Sequence, residues 1–256
     1  MTAQELFSDL RYRPDGIPIL SYDRMDELTE KLVKAIMPEN FTEQVDATDL
    51  KRLFAALDGW HYGGRYLSQS GDLLGLAAFY DGEVLVYDEN REKTSALSVK
   101  KHTILVDRGL YQKRLERVFR FTFAHETGHA LLHEKFCSNL ENMKKYADQE
   151  KDWIIKDTKD ELSKTDGNRL QTERDWLEWQ ANAFASAVLM PKSLVMKVAE
   201  MVRDERMDSF WYLNELKETL CDVFKVSGTA AFYRMKRLGL AGEACVMKNQ
   251  TIVESF

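Results

Sequence analysis

The sequence predicts a mostly helical α+β protein with a small three-stranded sheet. Three observations predict it: amphipathic helical periodicity near the N-terminus, period-two apolar alternation with turn signals between Leu73 and Asp107, and a helical pattern that resumes near Gln112 and persists. In "YDRMDELTEKLVKAIMPEN", Met25, Leu28, Leu32 and Ile36 recur on one helical face and Pro38 ends the run. "DATDLKRLFAALDGW" repeats the pattern, with Leu50, Leu53, Phe54 and Leu57 directed inward. The period then changes. "LLGLAAFYDGEVLVYD" reads as two strands joined by the two-residue turn Asp81–Gly82, and "KHTILVD", 101–107, supplies a third. With four prolines, no internal repeat and no linker rich in Gly, Pro or Ser, one compact domain over 1–256 is expected.

Composition narrows the function classes. The chain has 256 residues, 44% hydrophobic and 30% charged, the balance of a globular protein able to bury a sizeable core. A formal net charge of −6 gives no global attraction to nucleic acid or to an anionic membrane. Cys137, Cys221 and Cys245 form no CxxC pair and are too scattered for a disulfide scaffold, so they read as reduced thiols. The opening "MTAQELFSDLRYRPDG" lacks the apolar stretch of a secretory leader, and the longest apolar run, Leu73–Tyr80, is broken by Gly75 and too short for a bilayer. A cytoplasmic protein without a membrane partner is expected.

The chemistry concentrates in "FRFTFAHETGHALLH", 119–133. Buried histidine and glutamate are costly unless something satisfies them. At about 100° per residue, His125 and His129 stand about 40° apart and one turn along, so two imidazoles can converge on one metal ion. Glu126 is off that line but within reach of a metal-activated water. This is the H-E-x-x-H arrangement, two ligands plus a general base. Apolar flanks keep bulk water away and strengthen the local electrostatics. Gly128, unfavourable in mid-helix, fits a close approach by another element or by substrate.

A catalytic zinc requires a third protein ligand. The metzincin spacing would put it at position 135, which is Lys135. His133 continues the helix four residues after His129, but about 80° from His125 and two turns along, a position suited to supporting the site or the core rather than to ligation. "ERDWLEWQANAFASAVLMP", 173–191, offers a better candidate. Glu178 shares a face with Ala181, Asn182 and Ala185, where a carboxylate is out of place unless it binds metal, although Glu173 and Asp175 compete for the role. Asn182, one turn on, could hydrogen-bond the histidines or Glu178, and the alanines would let the two helices pack closely.

These two phrases resemble the ImmA/IrrE family of metallopeptidases, whose members carry F-T-x-A-H-E-x-G-H-x-x-L-H followed by E-x-x-A-N-x-F-A-x-x-L-L-M-P. The likeness spans roughly Val84 to Leu240, and the strand "TILVD" precedes the active helix as in the family. The resemblance implies a gluzincin-like fold and site. Its Zn²⁺ would be held by His125, His129 and Glu178, Glu126 would be the catalytic base, and the substrate would be a protein, a helix-turn-helix transcriptional repressor cut in a stress or mobile-element response.

One departure is the connection 138–173, longer than in the family, with nine acidic and seven basic residues and the apolar cluster Trp153, Ile154 and Ile155. It reads as a charged insertion, a solvated helical excursion, or alternatively as a lid or exosite. Within a helical region 192–240, "LCDVFKVSGTAAFYRMKRLGL", 220–240, resembles a helix-turn-helix: Leu220, Val226, Ala231 and Met235 pack, and Ser227 is an N-cap. Lys225, Arg234, Lys236 and Arg237 make it basic, yet a helical pair completing a peptidase fold accounts for the same pattern, and no specific DNA binding is expected. The leading function is thus a zinc-dependent endopeptidase. The alternative is a DNA-binding transcriptional regulator with a structural or sensory metal site, and a third is a metal-dependent scaffold that binds a partner without cutting it.

Overall fold

A computed structural model describes residues 3–42, 44–88, 92–139, 141–142, 154–158, 170–204 and 208–241. Four helices come first: α1 (Ala3–Leu6), α2 (Tyr22–Ile36), α3 (Glu39–Thr42) and α4 (Leu50–Ala55). The Ser21 hydroxyl caps α2 by accepting from the Arg24 N–H at 3.2 Å, and Asp49 caps α4 by accepting from Lys51 and Arg52. Met25, Leu28 and Leu32 are buried with Ile36 at the margin, and α2 stops two residues before Pro38 as its sequence requires.

Five strands follow: β1 (His61–Arg65), β2 (Leu73–Ala78), β3 (Gly82–Asp88), β4 (Lys93–Val99) and β5 (Thr103–Asp107). The hairpin expected across Asp81–Gly82 does not form, because β2 and β3 enter different sheets. β2 pairs antiparallel with β5, placing Gly75 opposite Val106, whereas β3 pairs antiparallel with β4, placing Gly82 opposite Val99. Burial gives the reason. Every residue of β2 from Leu74 to Ala78 is buried, so the strand needs cover on both faces and a neighbour on both edges. In β3 Val84 and Val86 are buried while Leu85 is exposed, the alternation of a ribbon with one wet face. The three-stranded sheet preceding the histidine helix is therefore β1, β5 and β2, with β1 parallel to β5. The segment "HYGGR" of β1 has neither apolar alternation nor branched residues, and its strand character comes from its partner rather than from propensity.

After two 3₁₀ turns come α5 (Glu116–Leu132) and α6 (Glu134–Cys137), then β6 (Ile154–Thr158), which pairs antiparallel with the other edge of β2 and gives the order β1-β5-β2-β6. The connection 138–173 thus contributes a strand where a helical excursion was expected. Trp153 and the segments 143–153 and 159–169 lie outside the described residues. The chain continues through α7 (Glu173–Leu189), α8 (Lys192–Val202), α9 (Ser209–Phe224) and α10 (Gly228–Arg237).

Among the described residues, two of the apolar clusters flank α5. Leu74, Ala77, Ile104 and Val106 of the sheet pack with Phe123 and Ala130 of α5. On the far side, α7 brings Phe184, Val188 and Leu189 against Leu28 and Leu32 of α2 and against Leu194, Val195, Leu216, Leu220 and Phe224. α5 lies between these cores, and residues 122–130 are all buried. The α9–α10 turn passes through Lys225 with φ of 55°. Ser227 caps α10 by accepting from Ala230, and Leu220, Val226, Ala231 and Met235 are buried as their spacing predicts. Among the described residues no helix is long and apolar enough to cross a membrane. Cys137 and Cys221 are free thiols, and Cys245 lies outside the described residues.

Candidate metal centre

The centre sits where α5 and α7 touch. Gly128 permits the approach: a Cβ there would stand 3.1 Å from the Phe184 Cβ and 3.2 Å from the Ala181 Cα, too tight for an ordinary contact. α7 is fixed at its start by a capping box in which the Thr172 side chain accepts from the Asp175 N–H and the Asp175 carboxylate accepts from the Thr172 N–H at 2.7 Å. That consumes Asp175. Among the described residues one cluster of potential ligands forms: His125, His129 and Glu178, all buried. Of the three candidate acids, it is Glu178 that the fold brings to the histidines.

The rings are oriented by partners behind them. His125 Nδ1 donates to the Asn182 Oδ1 at 2.9 Å, so its Nε2 carries the lone pair. A longer relay orients His129. Gln180 Nε2 donates to the Pro18 carbonyl at 2.7 Å, which turns Gln180 Oε1 toward His133 Nε2 at 3.1 Å. His133 therefore donates from Nε2 and accepts at Nδ1, where His129 Nδ1 donates at 2.8 Å, leaving the His129 Nε2 lone pair facing the site. Complete burial, followed by the neighbouring His129, pushes the His133 pKa well below the ordinary histidine value and favours the neutral His133 ring.

Two ring lone pairs consequently face each other, His125 Nε2 and His129 Nε2 at 2.9 Å, with Glu178 Oε2 3.4 Å and 3.8 Å from them. Two lone pairs and a carboxylate repel unless a cation lies between them. A single proton shared by the two nitrogens would leave the carboxylate with only long contacts of 3.4 Å and 3.8 Å. A point about 2.0–2.2 Å from all three atoms exists, the bond length of a divalent metal held by imidazole and carboxylate. The donor set, two imidazole nitrogens and one carboxylate oxygen, fits such an ion. Burial alone would raise the Glu178 carboxyl; positive charge at the His129 and His125 rings would outweigh it and hold that carboxyl well below its usual range, so the pocket favours a cation beside Glu178.

Glu126 is fully buried and on a different side of α5, its carboxylate packed against Gly75 of β2; a Cβ at Gly75 would overlap that carboxylate and come within 2.9 Å of the Glu126 Cδ. Gly75 thus gives the Glu126 side chain its room. His133 is not on a continuing helix face. α5 ends at Leu132, and His133 is its C-cap, with φ −111° and ψ 5°. It serves behind His129, in the supporting role its angular offset suggests, and Asn182 does the same for His125. Sequence reasoning missed Gln180, Pro18 and the service of Gly75. Their only signals were a glutamine among alanines and a glycine interrupting an apolar strand. No protein-family model and no curated protein sequence matches this chain.

Proposed function

We propose that the chain is a zinc-dependent endopeptidase of the ImmA/IrrE type acting on a protein substrate, a helix-turn-helix repressor as the sequence resemblance implies. The observation that carries this reading is the convergence of three buried potential ligand atoms, with Glu126, a fully buried carboxylate outside that cluster, adjacent in sequence to His125. When bound, a zinc ion supplies Lewis acidity that polarises a peptide carbonyl and acidifies water. The remaining work falls to the chain. His125, His129 and Glu178 would hold the ion, while Asn182 and His133 fix the tautomers that present Nε2 to it. Glu126 would accept a proton from the attacking water and return it to the departing amine. The apolar walls supplied by β2 and α7 limit access of bulk water.

A regulator with a purely structural metal has no use for a base at position 126, and a structural zinc site is closed by a fourth protein ligand. Among the described residues the ligand cluster has three members. The deciding experiment combines metal analysis of the purified chain with proteolysis assays on candidate repressors. About one zinc per chain, with turnover lost in Glu126→Gln while zinc is retained, is expected. Zinc-loaded wild-type protein that cleaves no repressor or general protein substrate would sink the peptidase reading.

A further inference from the structure

We propose that the recess between α2, α5, α7 and α10 binds a small organic phosphate, and that Asn182, in its wall, passes occupancy on to His125. The site stands apart from the peptidase reading; its effect on the metal rests on the ligand assignment above. The recess has a volume of about 640 Å³, room for a molecule of nucleotide size rather than for a lone ion. Its charged lining is one-sided: Arg117, Arg234, Lys236 and Arg237 stand against a single carboxylate, Asp26. That carboxylate is already engaged, 2.7 Å from a guanidinium nitrogen of Arg234. Arg117 forms an ion pair of 3.0 Å with Asp222, but the Asp222 side chain is 77% exposed, and an exposed pair holds its partners weakly. Arg237 lies over the Tyr22 ring at 3.2 Å, a contact that uses the guanidinium face and leaves the N–H edge for an acceptor. At the start of α10, the Ser227 hydroxyl accepts from the Ala230 N–H at 3.1 Å and keeps its own proton to donate. Thr229 follows in the first turn, where backbone N–H groups lack an acceptor within the helix.

Asn182 decides between a solvated basic surface and a ligand site. It lines the recess, is 5% exposed, and its Oδ1 accepts from His125 Nδ1 at 2.9 Å, while its Nδ2 is buried without a partner. A buried amide donor left unpaired is costly, and an acceptor entering the recess supplies what is missing. Donors arrive from α5, from α7 and from α10. A tetrahedral phosphate accepts from several directions at once, whereas a carboxylate offers two oxygens in one plane. Phe121 and Tyr233 line the remainder and suit an organic body better than inorganic phosphate alone. Occupancy has a consequence at the metal centre. Donation from Nδ2 to an anion moves electron density toward Oδ1, which strengthens the bond from His125 Nδ1 and makes His125 Nε2 a more basic ligand.

The test titrates the full chain by calorimetry at neutral pH with AMP and, separately, with adenosine and with inorganic phosphate. AMP should bind with a Kd below about 1 mM, and about tenfold more tightly than either fragment. Arg117→Gln and Arg237→Gln should each weaken AMP binding about tenfold, the usual result of losing a hydrogen bond to a charged group. The Asn182 side-chain NH₂ resonances should shift with the same midpoint, which reads the contact without any substitution. No saturable AMP binding, adenosine binding as tight as AMP, or an Asn182 amide that does not respond would overturn the proposal. A short DNA duplex should leave AMP in place; displacement would assign the recess to nucleic acid and overturn it equally. Zinc affinity by chelator competition should rise about fivefold at saturating AMP. The Arg117→Gln, Arg237→Gln double variant in the same buffer corrects for zinc held by AMP itself. An unchanged zinc affinity would defeat the relay through Asn182. AMP binding as expected in a chain that cleaves no protein would keep this site and discard the peptidase. Protein cleavage by a chain that takes up no AMP would do the reverse.

Discussion

His125 and His129 can each offer one lone pair because each has its other nitrogen engaged, one by Asn182 and one by His133. The strength of the site therefore depends on residues that never touch the ion. Glu178→Ala removes a ligand and should weaken zinc binding far more than Glu126→Gln, which removes none. His133→Ala should fall between them, at about 10- to 100-fold weaker binding, the usual cost of deleting a partner behind a ligand. Chelator competition measures all three, and a His133→Ala loss exceeding that of Glu178→Ala would reverse the ligand assignment. Under the proposed assignment, Gly75→Ala would separate the base from the metal. The added methyl overlaps the Glu126 carboxylate, so peptide turnover should drop at least tenfold while zinc affinity stays within about twofold. That His125, His129 and Glu178 would cluster was legible because an i, i+4 pair and a lone carboxylate on an alanine face are local patterns. Gln180, Pro18 and Gly75 were not legible, since their roles depend on segments far apart in sequence meeting in space.

At the scale of elements, the pairing of α5 with α7 decides whether the triad closes. A close point is Gly128, where the neighbours include a backbone Cα and a Cβ that no rotamer change can move. Gly128→Ala gains up to about 1 kcal/mol of helix propensity but overpacks the contact at a cost of about 1–3 kcal/mol. A net loss of stability in urea unfolding, accompanied by weaker zinc binding as the helices part, is expected; a stabilised variant would show that the interface can yield. The helices of this pair were readable from the sequence because caps and apolar periodicity are local. The strands were harder. Asp81–Gly82 carries a hairpin signal, yet strand partnership depends on how many faces of each strand need cover. Leu73–Ala78 is apolar on both faces and was drawn into the middle of a sheet, leaving Gly82–Asp88 to pair with Lys93–Val99. Neither β1 nor β6 has a pattern of its own, and each takes strand form from the neighbour it meets.

For the molecule as a whole, the open choice is between an enzyme closed by its C-terminal helices and a regulator that reads DNA with them. Arg234 lies at the centre of that choice. In the basic stretch 225–237 it is a natural phosphate contact, but it is 3% exposed, with Nε donating to the Met190 carbonyl at 3.0 Å and a guanidinium nitrogen 2.7 Å from Asp26, itself 7% exposed. It joins α10 to the end of α7 and to α2, and so holds the layer behind the metal centre. Arg237 stacks over the Tyr22 ring at 3.2 Å, and with Lys236 and Arg117 it borders a cavity of about 640 Å³ that also reaches Trp179 and Asn182. Of the basic residues in 225–237, Arg234 is buried, while Lys236 and Arg237, though exposed, border this recess between helices. Arg234→Ala strands the Asp26 carboxylate in the interior, so stability should fall by about 3–5 kcal/mol in denaturant unfolding, and Asp26→Asn with Arg234→Met should lose less because no charge is left behind. DNA binding should respond quite differently. With a net charge of −6 and Arg234 unavailable, duplex DNA should bind no tighter than about 10⁻⁵ M at physiological salt, without sequence preference. Submicromolar binding to one sequence, with log affinity falling by about 0.9 per phosphate contact as log salt rises and with Arg234→Ala relaxing that slope without unfolding the chain, would require the guanidinium to leave Asp26 for a phosphate, and would transfer these helices from the enzyme to the regulator.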